Sequence, residues 1–266
     1  MSTNWDPTAY AAFADERSRP FADLMARVGA DRPDLVVDLG CGNGPLTLSL
    51  AERWPQARVV GVDQSSEMLD AARAADAAGR VEWVEADVAG LDLGRLGSAP
   101  DVIVSNATLQ WVPGHLELLA RWARQLAPGG WLAIQVPGNL DAPSHALMRL
   151  VAERHPAADR LRPALERLAV ATPAAYVEML ARTGLVVDCW ETTYQHILDP
   201  LGQQSNPVLE WVRGTGLRPV LQALTDDGER ASFLEEYDER LRAAYPRTEV
   251  GVVFPFRRIF AVGHRR

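Results

Sequence analysis

Short apolar runs rich in β-branched residues recur along the first half of the chain, near 35–39, 58–62, 81–85, 101–105 and 131–136. The run Leu35-Val36-Val37, with its β-branched valines, reads as a buried parallel strand, and the others read as its neighbours. Between them apolar residues return at three- and four-residue steps, most clearly over 45–54, 65–76 and 115–126, which predicts helices. Ser65 or Ser66 is placed to cap the second helix, and Pro128-Gly129-Gly130 reads as the turn into the fifth strand. Strand and helix alternating in this order predict an α/β fold, a parallel sheet with helices on both faces.

The flanks have a different character. Over residues 1–30 the positions Trp5, Tyr10, Phe13, Phe21, Leu24, Met25 and Val28 recur at roughly helical intervals and predict one or two short amphipathic helices. Residues 138–170 scatter His145, Arg149, Arg154, His155, Arg160, Arg162 and Arg167 among Leu and Ala, predicting short helices whose charges are mostly solvated. Thr172-Pro173 reads as a capped helix start, with an end near Gly184. Leu185 to Ile197 and Val250 to Val262 then read as two strands that pair, with a helical insertion at 206–245 in their connection. The expected organisation is an amino-terminal segment (1–30), a core (31–137), a helical cap drawn from 138–170 and 206–245, and 171–205 with 246–266 completing the sheet.

The first strand runs into Asp38-Leu39-Gly40-Cys41-Gly42-Asn43-Gly44. Glycines at a strand-to-helix turn leave the backbone open to a ligand, although NAD-binding folds and plain tight turns use glycine in the same way. Three carboxylates accompany the loop. Asp38 lies within the end of an apolar strand, where an unpaired charge is costly, so it is expected to accept hydrogen bonds from loop amides or to face a ligand cation. Asp63 ends the second run about 20 residues beyond the loop, the spacing at which a carboxylate takes both hydroxyls of a ribose. Asp87 follows the third run, and carboxylates at successive strand ends line one crevice.

This loop, with Asp63, Ala86-Asp87-Val88 and Pro128-Gly129-Gly130, resembles the class I methyltransferases that use S-adenosylmethionine and release S-adenosylhomocysteine. Asn4-Trp5-Asp6-Pro7, Asn106-Ala107-Thr108-Leu109-Gln110-Trp111 and Thr215-Gly216-Leu217-Arg218-Pro219 narrow the resemblance to members that esterify a carboxylate of trans-aconitate or a related di- or tricarboxylic acid. The resemblance implies a Rossmann-like, mostly parallel seven-stranded sheet. It implies contacts to the cofactor from Asp38, Gly40, Cys41 and Gly42 at its amino-acid end, Asp63 at the ribose, Asp87 and Val88 at the adenine, and from Gln64, Asn106, Trp111, Tyr10 and Arg17, with Arg19 a weaker candidate. Substrate-binding candidates are Arg258, Arg218, Arg149, His145, Tyr194 and Trp211. Arg257 and Arg258 point to opposite faces of their strand, so one of them at most faces a site, and the family pattern favours Arg258. A carboxylate is already ionised at neutral pH, so no residue is assigned as general base.

Charge changes the picture in one respect. A formal net charge of −8 argues against a nucleic-acid surface and also repels a polycarboxylate at long range, so a local group of arginines has to reverse the potential where such an acid binds. Asn106-Ala107-Thr108-Leu109 lacks the proline pair of base-methylating enzymes, which further disfavours nucleic acid. The two cysteines, Cys41 and Cys189, have neither metal nor redox spacing, and no leader or long apolar span is visible; the expectation is a cytoplasmic protein without metal or membrane contact, most simply a monomer. Cys41 has no helper histidine near it in sequence and is read as a small turn residue. Competing readings are a methyltransferase with another small acceptor, an NAD-dependent dehydrogenase, disfavoured because the loop is Gly-x-Gly-x-Gly, and a cofactor-binding interaction module without turnover.

Overall fold

The computed structural model describes residues 14–166 and 170–266, and the side chains of all of these except 14–17 and 166. In chain order the elements are α1 (Ala14–Met25), β1 (Leu35–Leu39), α2 (Pro45–Arg53), β2 (Arg58–Asp63), α3 (Ser66–Ala75), β3 (Val81–Glu85), β4 (Val102–Asn106), α4 (His115–Gln125) and β5 (Trp131–Pro137). Then come α5 (Pro143–Arg154), α6 (Ala158–Glu166), α7 (Pro173–Arg182), β6 (Leu185–Leu198), α8 (Pro207–Arg213), α9 (Arg218–Ala223), α10 (Asp227–Ala244), β7 (Arg247–Thr248) and β8 (Gly251–Arg265). The described residues divide into two compact units, one of 14–136, 171–191 and 259–266, the other of 137–166, 170 and 192–258.

The first unit is built on a sheet of order β3-β2-β1-β4-β5-β8-β6. Strands β1 to β5 pair in parallel, with Val36 level with Val59 on one side and Val102 on the other. All five residues of β1 are buried because it lies mid-sheet with helices on either face, so its Val and Leu side chains each contribute on the order of 1.5–3 kcal/mol by burial. Between β1 and β4 the strand order changes direction, and in such sheets the crevice outside the carboxyl ends at that switch is where ligands bind. Ser65 caps α3 by accepting from Met68 N at 3.2 Å, and Thr172 caps α7 by accepting from Ala175 N at 3.2 Å. The fourth strand begins one residue later than its apolar pattern suggests. Asp101 is turned to accept from Asp34 N and Leu35 N, and so pins the entry to β1.

The second unit carries α5, α6 and α8–α10 with residues 192–198 of β6 and 251–258 of β8. Helix α10 packs on α5: Tyr237 donates to the Ser144 carbonyl at 2.8 Å, and the Ser144 N–H donates to the Tyr245 hydroxyl at 3.0 Å. Asn206 caps α8 through Leu209 N and donates to Asp238. Trp211, Phe254, Phe256 and His196 form an aromatic cluster with ring centroids 5.0–6.1 Å apart. Strand β7 is an addition to the seven strands expected. It forms a short antiparallel hairpin with the start of β8, closed at Gly251 with φ +118° and by Thr248 Oγ1 donating to Gly251 O. His155, expected among solvated charges, is buried, with Nε2 against the Glu229 carbonyl and Ser232 hydroxyl.

Candidate active site

The loop after β1 is pinned to the end of β2, since Gly40 N and Cys41 N both donate to the Val62 carbonyl at 2.8 and 2.9 Å. Two of its glycines are required for different reasons. Gly40 has φ +86°, and an added Cβ would meet Thr108 Oγ1 at 2.0 Å. Gly42 has φ +56°, and no atom of the described residues lies within 4 Å of where its Cβ would stand. The first glycine makes room for protein, the second leaves bare backbone facing open space.

The carboxylates lie at the carboxyl ends of their strands. Asp63 accepts from Gly42 N at 2.9 Å and from Ser65 N at 3.0 Å. Asp38 is buried and accepts from the Thr47 hydroxyl of α2 at 2.6 Å, not from loop amides; burial raises its pKa to about 6, against the lowering effect of that hydroxyl, with Asp63 adding to the rise. Asp87 accepts from Ala89 N at 2.9 Å, next to buried Val88, and Gln64 is exposed. Burial and the neighbouring Asp38 and Asp63 push the Cys41 thiol far above its usual range, which makes it inert as a nucleophile. Beyond β4, Ala107 has φ +54°; Gln110 Nε2 donates to its carbonyl at 2.6 Å, and Trp111 is half-buried. Asn106 Oδ1 and Gln110 Oε1 are buried without a hydrogen-bond partner. Tyr10 and the side chain of Arg17 lie outside the described residues, and Arg19 is exposed on α1.

The substrate candidates all belong to the second unit. Arg258 is 5% exposed, with its guanidinium 4.4 Å from the Phe256 ring centroid; Arg257 is half-buried and donates to the Gly138 carbonyl. Trp211 and Tyr194 are buried ring-on-ring with His196, so they act as walls of the aromatic cluster. Arg218 is half-buried at the start of α9. His145 and Arg149, one turn apart on α5, line a cavity of about 690 Å³.

A methyltransferase domain model matches residues 36–130. An enzyme of Streptomyces avermitilis named trans-aconitate 2-methyltransferase is 51% identical, covering 98% of this chain and 97% of its own. One of the same name from a Mycobacterium species (strain KMS) is 50% identical, covering 97% and 98%. The chain belongs to the trans-aconitate 2-methyltransferase family. The fold agrees: a solved geranyl diphosphate methyltransferase in complex with SAM superposes with a TM-score of 0.54 at 15% identity, over 97% of this chain and 89% of that one. Family membership removes the dehydrogenase reading.

As a family methyltransferase the protein uses S-adenosylmethionine, and the first unit fits it. The unpartnered acceptors Asn106 Oδ1 and Gln110 Oε1 match a ligand that brings N–H donors, and the open backbone at Gly42 admits close approach. Thr47 and Thr108 escaped the sequence reading. Thr47 is a first-turn residue of α2 like any other by pattern, and Thr108 meets Gly40 only through the fold. No cluster of three His, Cys, Asp or Glu side chains suited to a metal occurs among the described residues, nor a helix long and apolar enough to cross a membrane.

Proposed function

We propose that this protein transfers a methyl group from S-adenosylmethionine to a carboxylate of trans-aconitate, giving the monomethyl ester and S-adenosylhomocysteine. The observation that carries the reading is identity of about half, over nearly the full length, to several enzymes named for this acid. S-adenosylmethionine supplies an electrophilic methyl carbon whose bonding pair leaves with sulfur. The ionised acid brings its own nucleophilic oxygen, so the chain's task is to orient and to neutralise rather than to accept a proton.

In this reading Asp63 and Asp87 hold the ribose and adenine, Asp38, Asn106 and the Gly40–Gly42 backbone face the amino-acid end, and the arginines of the second unit bind carboxylates, for which guanidinium groups are suited by their paired N–H donors. The deciding experiment incubates the protein with methyl-labelled cofactor and a panel of small polycarboxylic acids and identifies the ester. Labelled trans-aconitate monomethyl ester is the expected product. A label carried by another acceptor overturns the acid, and cofactor binding without S-adenosylhomocysteine release overturns catalysis.

A further inference from the structure

The cavity within the second unit has a composition that its volume alone does not convey. Leu140, Met148, Ala152 and Leu165 give it apolar walls, while His145 and Arg149 enter from successive turns of α5. Its two arginines differ. Arg162 donates to Asp159 at 3.1 Å, whereas the carboxylate nearest Arg149, that of Asp141, stands at 3.9 Å, beyond hydrogen-bond reach, with its side chain fully exposed. An ion pair with one partner entirely in water is worth little and is readily exchanged for another anion.

His145 is held from behind. Its Nδ1 is 3.2 Å from the Ser144 hydroxyl, and Ser144 is fixed through its backbone by Tyr237 and Tyr245. Burial, and then the charge of Arg149, lower its pKa to about 4, so at neutral pH the ring is uncharged. In the tautomer in which the Ser144 hydroxyl donates to Nδ1, the Nε2 of the neutral ring is a donor.

We propose that this cavity is a carboxylate subsite in which Arg149 and His145 bind one carboxylate of the acid substrate and Asp141 is the counter-ion that this carboxylate displaces. The proposal rests on the polycarboxylate reading above and adds to it which groups meet the acid. The carboxylate held here is a spectator, because a guanidinium bonded to its oxygens withdraws the lone pairs that attack would need. Glu153, which also lines the cavity, is exposed and adds a weak opposing charge.

The test is steady-state kinetics and calorimetry with trans-aconitate on the full chain. Arg149→Ala should raise KM for the acid roughly ten- to a hundredfold, the loss of a charged hydrogen bond, with kcat and the cofactor Kd within twofold. Asp141→Asn should lower KM by two- to fivefold, an improvement no structural role for an exposed side chain would produce. His145→Phe, which removes the donor, should raise KM severalfold, and His145→Gln, which keeps one, should raise it less. Unchanged KM in both Arg149→Ala and Asp141→Asn, with wild type esterifying the acid, overturns the subsite alone. A wild-type protein that neither esterifies nor binds any polycarboxylate overturns the functional reading as well.

Discussion

The Asp63 carboxylate accepts the Gly42 N–H at 2.9 Å, and Gly42 is the loop position whose α-carbon faces open space. One acidic side chain at the end of β2 thus fixes the bare segment of the loop, while its second oxygen takes Ser65 N at 3.0 Å, the cap residue of α3. A carboxylate has room for about four hydrogen bonds, so two remain for ribose hydroxyls. In the proposed function the same group would order the loop and bind what the loop admits.

Replacing Asp63 should therefore cost in two places. Asp63→Ala is expected to weaken the cofactor by roughly 1.5–3 kcal/mol and to lower the melting temperature of the free protein, because Gly42 and Ser65 lose their acceptor. Asp63→Asn keeps one acceptor oxygen and should fall between. Calorimetry with S-adenosylhomocysteine and thermal melts measure both; an unchanged cofactor Kd in Asp63→Ala would remove this residue from the ribose.

Gly40 and Gly42 should separate folding from binding. Gly40→Ala drives a methyl into Thr108 at positive φ and is expected to lower stability by several kcal/mol. Gly42→Ala meets no protein atom, so only the left-handed backbone cost of about 1–2 kcal/mol remains, while the methyl would occupy the open space of the proposed cofactor site. A folded Gly42→Ala protein with much weakened cofactor binding is the expected result; equal cofactor affinity to wild type would place the ligand elsewhere.

What could be read in advance follows the range of each interaction. The strands, Asp63 and Asp87 at their ends, and the caps Ser65 and Thr172 were legible, because each is set by a local pattern of a few residues. The partners of Asp38 and Gly40 were not. Thr108 reaches Gly40 across 68 residues, and Tyr245 reaches Ser144 across 101, so both pairs exist only once the chain is folded. Arg258 is favoured by the family pattern over Arg257, but its seat over Phe256 needs the aromatic cluster to be known.

Asp38 should make stability fall with rising pH. Its folded-state pKa, about 6, exceeds the ordinary 3.8 through burial, so the native state holds the proton more tightly than the unfolded chain does. The contribution is full below about pH 4 and is lost as pH rises through 6, on the order of 3 kcal/mol in all. Asp38→Asn should flatten this part of a chemical-denaturation profile taken from pH 4 to 7. In the same interval the wild-type cofactor Kd should tighten as the carboxylate ionises and meets a cationic ligand group. A variant with the wild-type pH slope would show that another group titrates.

Arg258 and Arg218 should act on the acid and not on the cofactor, but differently on the fold. Arg258 is buried with its guanidinium over Phe256, a placement in which a cation on an aromatic face contributes about 2 kcal/mol when desolvated, so Arg258→Ala should lower both stability and acid affinity. Arg218, half-buried at the start of α9, should lose acid affinity on replacement by Ala with little change in melting temperature. Arg258→Lys keeps the charge without the planar fork, and is expected to restore stability more than acid binding. The measurement is KM for trans-aconitate beside cofactor Kd and melting temperature in all three variants. Should cofactor affinity collapse in Arg218→Ala while KM for the acid holds, the division of labour between the Asp63 loop and these arginines is wrong.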